Sequence, residues 1–306
     1  MTAGSGGRPV IFGEVLFDCF PGGERVLGGA PFNVAWHLQG FGAAPLFISR
    51  IGDDALGARV RDTMQAWGMD LAGLQVDPTH PTGVVQVQLE GGQPSYHIVP
   101  RQAYDFVAAA DAAAALQGIE AALLYHGTLA LRHEVSRAAL EGLRRMVHPV
   151  CVDLNLRAPW WDSEIVHAVL HGAQWVKLND EELRALSLPP PEEEDLLAAA
   201  QALRQRYGLE LLILTRGAAG ACLVTAEGHW QGAPEAVARV VDTVGAGDAF
   251  AAVALLGLLQ GWSHADTLRR ALDFAARICT IRGATTTDRG LYTETLRRWQ
   301  EGTAHG

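Results

Sequence analysis

The chain has few cysteines and no long apolar segment without charge. Its four cysteines are far apart among 306 residues and form no CxxC pair, which argues against a disulfide scaffold or a cysteine-rich metal site. No stretch reaches membrane-spanning length free of charge, and the first ten residues lack the apolar core of a secretion signal. We therefore expect reduced, mostly buried thiols in a soluble cytoplasmic protein with no membrane partner.

Positive charge and several common motifs are also scarce. The formal charge is −10 and no basic run stands out, so nucleic acid is not an expected partner. No G-x-G-x-x-G follows the first predicted strand, which disfavours a nicotinamide-dependent dehydrogenase. No internal repeat or long linker divides the chain, and we interpret residues 1–306 as one domain of a length that α/β folds often reach.

The segments that are present alternate between strand-like and helix-like patterns. Short apolar runs at 10–20, 45–50, 121–127, 149–155 and 173–179 are separated by amphipathic helical segments. Such alternation predicts an α/β fold with a mainly parallel sheet, whose ligands bind at the carboxyl ends of the strands. Near the carboxyl terminus, we expect one long helix from about residue 263 to Gly283, followed by a last helix.

Residues 83–100 depart from this rhythm. VVQVQLE and SYHIV each alternate apolar and polar residues, and GGQP separates them. This pattern is typical of a β-hairpin with one solvated face. Because the hairpin interrupts a chain of alternating helices and strands, we interpret it as an excursion from the main sheet that covers a pocket.

The segment VDTVGAGDAF at 241–250 carries the clearest chemical signal. Gly245 and Gly247 allow backbone conformations that bring successive amides to one point before an apolar helix, where the helix dipole favours an anion. An acid at this place, Asp248, has a reason to be there if it accepts a proton from an attacking hydroxyl. The segment thus suggests phosphoryl transfer to an alcohol, while a tight turn with an ordinary acid in the first turn of the helix stays an open alternative.

Polar residues near the first strand suggest a ligand pocket. Asp18 interrupts the strand, and Gly28 and Gly29 allow a ligand to approach the backbone closely. Asn33 lies in the first turn of the helix that Pro31 begins. It is either a capping or surface amide or a hydrogen-bonding arm for a polyol.

Three further polar groups each admit two interpretations. Alternate positions are occupied by Asp153, Asn155 and Arg157, which would share a face in an extended chain. Either Arg157 binds a phosphate or carboxylate of a ligand, or the three residues form an internal ion-pair network. Asn179 and Glu182 suit either a hydrated magnesium ion or a capping box, and the spacing alone favours the cap. The predicted strand near residue 212 is followed by a turn with Thr215, Gly217 and Gly220. These residues either contact a nucleotide phosphate or only shape the turn.

Taken together, these segments resemble the ribokinase-like (PfkB) carbohydrate kinases, and the fructokinase branch most closely. The likeness spans nearly the whole chain in the right order. It rests on GEVLFDCFPGGERVLGGAPFNVAWHLQGFG at 13–42, VDLNLR at 152–157, LNDEEL at 178–183, LTRGAAG at 214–220 and DTVGAGDAF at 242–250. The resemblance implies a three-layer fold with a mainly parallel central sheet flanked by helices, and a small β-sheet lid from about 15–28 and 83–102.

The resemblance also implies an activity and a set of roles. Family members transfer the γ-phosphate of ATP to a primary hydroxyl of a sugar, and fructose to fructose 6-phosphate is the favoured reaction here. Asp248 would be the catalytic base beside an anion hole of Gly245, Ala246 and Gly247. The sugar would lie between sheet and lid, and the substrate-binding residues would be Asp18, Gly28, Gly29, Asn33 and Arg157.

Cofactors and partners follow from the same resemblance. Asn179 and Glu182 would organise Mg²⁺ and ATP through water, and Asp242 would lie near a monovalent cation such as K⁺. The nucleotide would be lined by Thr215, Gly217 and Gly220, and the lid would pair across a homodimer. A 2-keto-3-deoxygluconate, ribose or nucleoside kinase stays possible, as does a silent sugar-binding relative, although the latter would not need Asp248.

Overall fold

The computed structural model describes residues 7–90, 93–237 and 239–303. Thirteen strands occur in this part of the chain. They are β1 (Arg8–Phe12), β2 (Leu16–Cys19), β3 (Arg25–Gly28), β4 (Leu46–Gly52), β5 (Leu74–Asp77), β6 (Gly83–Glu90), β7 (Gln93–Ile98), β8 (Ala121–His126), β9 (Val150–Asp153), β10 (Trp175–Asn179), β11 (Leu211–Thr215), β12 (Ala221–Val224) and β13 (His229–Gly232).

The helices connect these strands and cover the sheet. They are α1 (Ala30–Gly40), α2 (Ala55–Trp67), α3 (Ala109–Ala115), α4 (Glu134–Arg144), α5 (Ser163–His171), α6 (Asp180–Leu186), α7 (Leu196–Tyr207), α8 (Ala246–Gln260), α9 (His264–Ile278) and α10 (Arg289–Thr303). Short 3₁₀ turns also occur, one of them at Gly217–Ala219 after β11.

The strands form two sheets. The large sheet has the order β13-β12-β11-β10-β9-β8-β1-β4-β5, and only β12 runs against the direction of the other strands. The small sheet has the order β3-β2-β6-β7. These sheets confirm the predicted three-layer fold with a mainly parallel sheet and a second, smaller sheet.

Both faces of the large sheet are buried by helices. Along β1, Val10 and Phe12 belong to one apolar cluster, whereas Ile11 belongs to the cluster on the opposite face. Because side chains alternate across a strand, a sheet covered on both faces requires nearly continuous apolar runs. The runs in the sequence therefore reflect burial on two sides.

The predicted strand over 10–20 is two strands in the structure. β1 ends at Phe12, and Gly13 takes a φ of +155° against the ring of Pro31 before β2 begins at Leu16. A side chain at residue 13 would collide with that proline ring. The chain therefore leaves the large sheet at Gly13 and enters the small sheet, a change that an unbroken apolar pattern conceals.

The helix predicted to reach Gly283 is shorter than expected. α9 ends at Ile278, and the following residues form turns before α10 begins at Arg289. The backbone amides of Val241 and Asp242 donate to the carbonyl of Cys279, so this segment supports the loop before α8. Its sequence has helical spacing, but its hydrogen bonds join it to a distant loop.

The cysteines and the apolar helices test two predictions that were made from the composition. All four cysteines are free; Cys151 and Cys222 are buried, and Cys19 and Cys279 are half-buried. The thiols are therefore reduced, as predicted, although only two are fully inside. Among the described residues, no helix has both the length and the apolar character needed to cross a bilayer.

Candidate active site

The first turns of α1 and α8 meet at the carboxyl edge of the large sheet. Asn33 lies in the first turn of α1 and Asp248 in the first turn of α8. The Asn33 Nδ2 donates to the Asp248 Oδ2 at 2.7 Å. Asn33 is 5% exposed, and its Oδ1 is buried without a hydrogen-bond partner in the described part of the chain. This contact leaves an unused acceptor beside a carboxylate.

The environment of Asp248 prepares it to accept a proton. Burial raises its pKa to about 6, the Asn33 hydrogen bond opposes this rise, and the neighbouring Asp153 carboxylate adds to it. The positive charges of Lys177 and Arg157 lower the pKa. A carboxylate whose pKa lies near the working pH is suited to general base catalysis.

The amino terminus of α8 offers backbone donors beside Asp248. Gly245 takes a φ of +79° and packs so closely on Ala284 that a side chain would collide. The first bond inside the helix runs from the Ala249 amide to the Gly245 carbonyl at 2.9 Å. The amides of Gly247 and Asp248 precede that bond and point out of the helix end. Free amides at the start of a helix favour an anion.

One of the three amides predicted for the anion hole already has a partner in the protein, and the anion hole itself stays a prediction. The Ala246 amide donates to the carbonyl of Thr243 at 3.3 Å within the turn that precedes α8. It is therefore already engaged, whereas the amide of Asp248, which was not predicted, belongs to the free group. The difference arises because the turn that positions the helix consumes one donor.

A buried ion pair lies below this helix end. Lys177 is in the middle of β10, and its Nζ donates to the Asp153 Oδ2 at 2.8 Å. The hydroxyl of Tyr125 donates to the same oxygen at 3.0 Å. Burial lowers the pKa of Lys177, but the charge and hydrogen bond of Asp153, together with the charges of Glu182 and Asp248, raise it above its ordinary value. This direction favours the charged ammonium form of Lys177.

A second buried acid follows β1. Glu14 is 3% exposed, and its Oε2 has no hydrogen-bond partner within the described residues. Burial raises its pKa to about 7; the backbone amide of Glu14 itself lowers it, and Asp248 raises it further. Glu14 was not predicted as a site residue, although an acid directly after an apolar strand is a signal that could have indicated it.

Asp18 and Arg157 flank the site on the side of the small sheet. Asp18 lies in β2 and is half-buried; burial raises its pKa and the Arg157 charge lowers it. Arg157 is exposed, yet its charge also lowers the pKa of Glu14 and Asp248. One guanidinium therefore acts on two carboxyl groups near the amino terminus and on Asp248, which is far from them in sequence.

The shared face predicted for Asp153, Asn155 and Arg157 is wrong. Asn155 takes a φ of +41°, so the chain is not extended there and its side chains do not alternate. Asp153 turns inward to Lys177, and Arg157 lies outside. The ion pair that does form uses a lysine of the next strand, which sequence spacing cannot indicate.

Gly28 and Gly29 differ in what surrounds them. Gly29 takes a φ of +114°, and a Cβ there would lie 2.7 Å from the Glu14 carbonyl oxygen. A Cβ on Gly28 would meet only the Asn33 Oδ1, at 3.9 Å. Backbone packing thus explains the glycine at 29, while the glycine at 28 borders the open space beside Asn33.

Asn179 and Glu182 form a capping box at the start of α6. The Glu182 amide donates to the Asn179 Oδ1 and the Asn179 amide donates to the Glu182 Oε2, both at 2.8 Å. The Glu182 Oε1 accepts from the Leu156 amide at 2.7 Å. The capping alternative is therefore present in the structure. Across the described residues, no group of three or more histidine, cysteine, aspartate or glutamate side chains could hold a bare metal ion.

The turn after β11 contains two different glycines. Gly217 is exposed with a φ of +51° and open space around it, and Thr215 is half-buried at the strand end. Gly220 is buried, and a side chain there would collide with the Gly232 carbonyl of β13. Packing between strands accounts for Gly220, whereas Gly217 leaves its backbone accessible.

Asp242 joins two loops. Its Oδ1 accepts from the Val244 amide and its Oδ2 accepts from the Gly283 amide, both at 3.0 Å. The carboxylate therefore holds the loop before α8 against the segment after α9. A cation role for Asp242 stays a prediction, and both oxygens already have backbone partners.

Comparison with known proteins decides the family. The pfkB family carbohydrate kinase profile matches residues 20–289. The chain is 32% identical over 299 residues to a fructokinase of Escherichia coli. This alignment covers 90% of this chain and 94% of the relative. The chain belongs to the pfkB family of carbohydrate kinases.

Two solved kinase structures share the fold. One is a fructokinase double mutant from Vibrio cholerae O395 with bound fructose, ADP and potassium ion (TM-score 0.78, 27% identity, 94% of this chain and 97% of that chain). The other is aminoimidazole riboside kinase from Salmonella enterica, complexed with aminoimidazole riboside and an ATP analog (TM-score 0.79, 27% identity, 94% and 99%). Membership in the family confirms the predicted carbohydrate kinase.

The candidate site also contains residues that the sequence did not indicate. Lys177 and Tyr125 lie in apolar strands where no motif marks them, although a lysine inside a buried strand is itself unusual. The sequence did indicate Asp248 and Asn33, and the structure brings these two into direct contact. The roles of all of these residues remain predictions.

Proposed function

We propose that this carbohydrate kinase transfers the γ-phosphate of ATP to a primary hydroxyl of a sugar, with fructose as the favoured acceptor. The observation that carries the proposal is the carboxylate of Asp248, which is held by Asn33 at the amide-lined start of α8 and has its pKa raised to about 6. The E. coli and V. cholerae relatives, both fructokinases, support fructose.

The proposed reaction uses Asp248 as a general base. Asp248 accepts the proton of the sugar hydroxyl while the sugar oxygen forms a bond to the γ-phosphorus. The bond from that phosphorus to the oxygen bridging to the β-phosphate breaks, and ADP leaves with the electron pair. Phosphoryl transfer requires positioning and charge stabilisation above all, and the amides of Gly247 and Asp248 supply donors for the transferring group.

The sugar site is proposed between the large and small sheets. The unused Oδ1 of Asn33 is available to accept from a sugar hydroxyl. Asp18 in β2 supplies a second acceptor and Arg157 a donor. The open space beside Gly28 admits the ligand, and the backbone of Gly29 borders it. In this proposal the small sheet is the lid, which excludes water that would otherwise compete with the sugar for ATP.

ATP, Mg²⁺ and a monovalent cation are proposed at the other side of the anion site. Thr215, Gly217 and Gly220 border the nucleotide, and the accessible backbone of Gly217 fits this role best. Both carboxylate oxygens of Glu182 already accept from amides, so Asn179 and Glu182 fit Mg²⁺ only through its bound water. When bound, Mg²⁺ neutralises phosphate charge. Asp242 is proposed to fix the loop near a K⁺ ion such as the one in the V. cholerae structure.

A cytoplasmic homodimer is the proposed state of the enzyme. β7 is an edge strand of the small sheet, and its Tyr96 is 54% exposed. An exposed edge strand invites pairing with another strand, so two lids can pair about a two-fold axis. Sedimentation of a monomer at micromolar concentration would contradict the dimer.

A nucleoside-type acceptor is the second candidate. The Salmonella enterica neighbour is complexed with aminoimidazole riboside, and its TM-score of 0.79 is close to the 0.78 of the V. cholerae fructokinase. The 2-keto-3-deoxygluconate and ribose acceptors also remain possible within this fold. The acceptor must therefore be determined by direct comparison of substrates.

An ADP-release screen tests the proposal. Wild-type protein with ATP and Mg²⁺ is assayed with fructose, glucose, ribose, 2-keto-3-deoxygluconate, adenosine and aminoimidazole riboside, with and without K⁺. We expect the highest kcat/KM with fructose, and Asp248→Asn should reduce turnover at least 100-fold while ATP binding persists. Asp266→Asn, which alters a half-buried acid in the first turn of α9, is the matched control. Sugar binding without ADP release would indicate a silent binding protein.

A further inference from the structure

Lys177 has an environment that its pairing with Asp153 does not explain fully. It is 8% exposed and comes from the middle of a strand in the large sheet. Removing an ammonium from water is costly unless the pair is well bonded. A purely structural position at this depth would be filled as well by an apolar side chain. The stability of the sheet therefore does not explain why a lysine occupies this buried position.

The ammonium lies next to the amino terminus of α8. A Cβ built on Gly247 would be 3.7 Å from the Lys177 Nζ, so the nitrogen faces the helix turn that carries the free amides. One of its three N–H donors bonds to Asp153, and within the described residues no other acceptor bonds to it. The ammonium therefore has donors to spare, and the space that adjoins Gly247 lies beside them.

Two positive ends meet at this place. The start of α8 carries a partial positive charge from its amides, and the Lys177 ammonium adds a full charge beside it. These charges repel each other, and a negative group placed between them would be stabilised by both. Asp153 balances Lys177 from the strand side, and Tyr125 donates to the same Asp153 oxygen, which holds this carboxylate in place.

We propose that Lys177 is a further catalytic residue, whose ammonium donates to the phosphoryl group during transfer together with the amides of Gly247 and Asp248. The inference rests on the proposed function. The hydroxyl proton still goes to Asp248 and the electron pair of the broken bond still leaves with ADP. Lys177 keeps its protons and stabilises charge, while Asp153 and Tyr125 are positioning residues.

The competing explanation is that Lys177 only neutralises Asp153. Lys177→Met alone does not separate the two, because it leaves a buried carboxylate unpaired and lowers stability in either case. The double variant Lys177→Met with Asp153→Asn removes both charges and keeps an oxygen that can accept from Tyr125. If the lysine were only a counter-ion, this neutral pair would restore both folding and activity.

The decisive experiment measures the double variant after its thermal stability has been compared with that of the wild type. We expect kcat to stay about 100-fold below wild type, as for loss of one transition-state donor, with the KM for the sugar changed less than about threefold. A second readout is the affinity for ADP with aluminium fluoride, which mimics the transferring phosphoryl group. We expect that affinity to fall and the affinity for ADP alone to be retained.

Two results would overturn the proposal. A double variant whose kcat is within threefold of wild type would show that Lys177 is only a counter-ion, and so would an unchanged affinity for the aluminium fluoride complex. If the wild type transfers phosphate to no acceptor tested, the proposed function fails. The binding comparison still decides the role of Lys177 in that case, since it requires only nucleotide and the fluoride complex.

Discussion

Asn33 and Asp248 are 215 residues apart in sequence, yet the Asn33 Nδ2 lies 2.7 Å from the Asp248 Oδ2. Each residue is in the first turn of its helix, and the two helices, α1 and α8, pack against each other. The packing of two helices thus sets the orientation of a carboxylate. This contact links the amino-terminal motif to the carboxyl-terminal one, and it defines the first two predictions.

The activity of the wild type should decline in acid because Asp248 becomes protonated. Its pKa is raised to about 6, so the carboxylate that accepts a proton predominates above this pH and is lost as the pH falls through it. We expect kcat/KM to be nearly constant above pH 7 and to fall about tenfold per pH unit well below 6. Steady-state kinetics from pH 5 to 8 measure this, with circular dichroism at each pH to confirm folding. An unchanged rate at pH 5 would exclude Asp248 as the base.

Replacing Asn33 should shift that pH profile. The Asn33 hydrogen bond lowers the pKa of Asp248, so Asn33→Ala should raise this pKa and move the decline of kcat/KM to higher pH. We also expect kcat/KM at pH 8 to fall about 10- to 100-fold, the range for loss of a hydrogen bond to a charged group. Gln39→Ala, which removes an amide donor at the other end of α1, is the control. A rate loss without any shift of the profile would mean that Asn33 acts only on the sugar.

Replacing Glu14 should stabilise the protein at high pH. Burial raises the pKa of Glu14 from 4.5 to about 7. The folded state therefore binds a proton more tightly than the unfolded state, and the stability gained in this way below pH 4.5 is lost as the pH rises through 7. Glu14→Gln keeps the shape without the buried charge. At pH 8 it should increase the free energy of unfolding by at most about 3 kcal/mol, the equivalent of this pKa difference.

Urea unfolding at pH 4 and pH 8 checks the Glu14 prediction. The difference between Glu14→Gln and wild type should vanish near pH 4, where both side chains are neutral in either state. Glu141→Gln, which changes an exposed acid on α4, should show no such dependence on pH. Equal effects of Glu14→Gln at both pH values would show that its carboxyl does not carry a buried charge.

Some of the site could be predicted from the sequence because its signals are local. Asp248 and Gly245 are adjacent to an apolar helix, and Asn33 follows two glycines and a proline. The capping box of Asn179 and Glu182 is likewise a matter of spacing within one helical turn. Such patterns constrain the backbone over only a few residues. They can therefore be recognised in the sequence without knowledge of the fold.

Other parts of the site could not be predicted, because they depend on neighbours that are distant in sequence. Lys177 pairs with Asp153 of the neighbouring strand, and the positive φ of Asn155 breaks the extended chain that would place Arg157 on the same face as Asp153. Gly29 is required by the Glu14 carbonyl, and Gly220 by a carbonyl of β13. None of these contacts leaves a periodic trace in the sequence.

The sequence by itself determined the class of fold. It also determined the two motifs, one near each end of the chain, that contribute Asn33 and Asp248 to the candidate site. Apolar periodicity and glycine placement are local properties, and they suffice to order strands, helices and the hairpin at 83–98. Only the tertiary structure decided which groups meet at the start of α8, which amides are free there, and how far burial raises the pKa of Asp248 and Glu14. These properties depend on packing and on distances between charges, and both arise only when segments far apart in the chain come together.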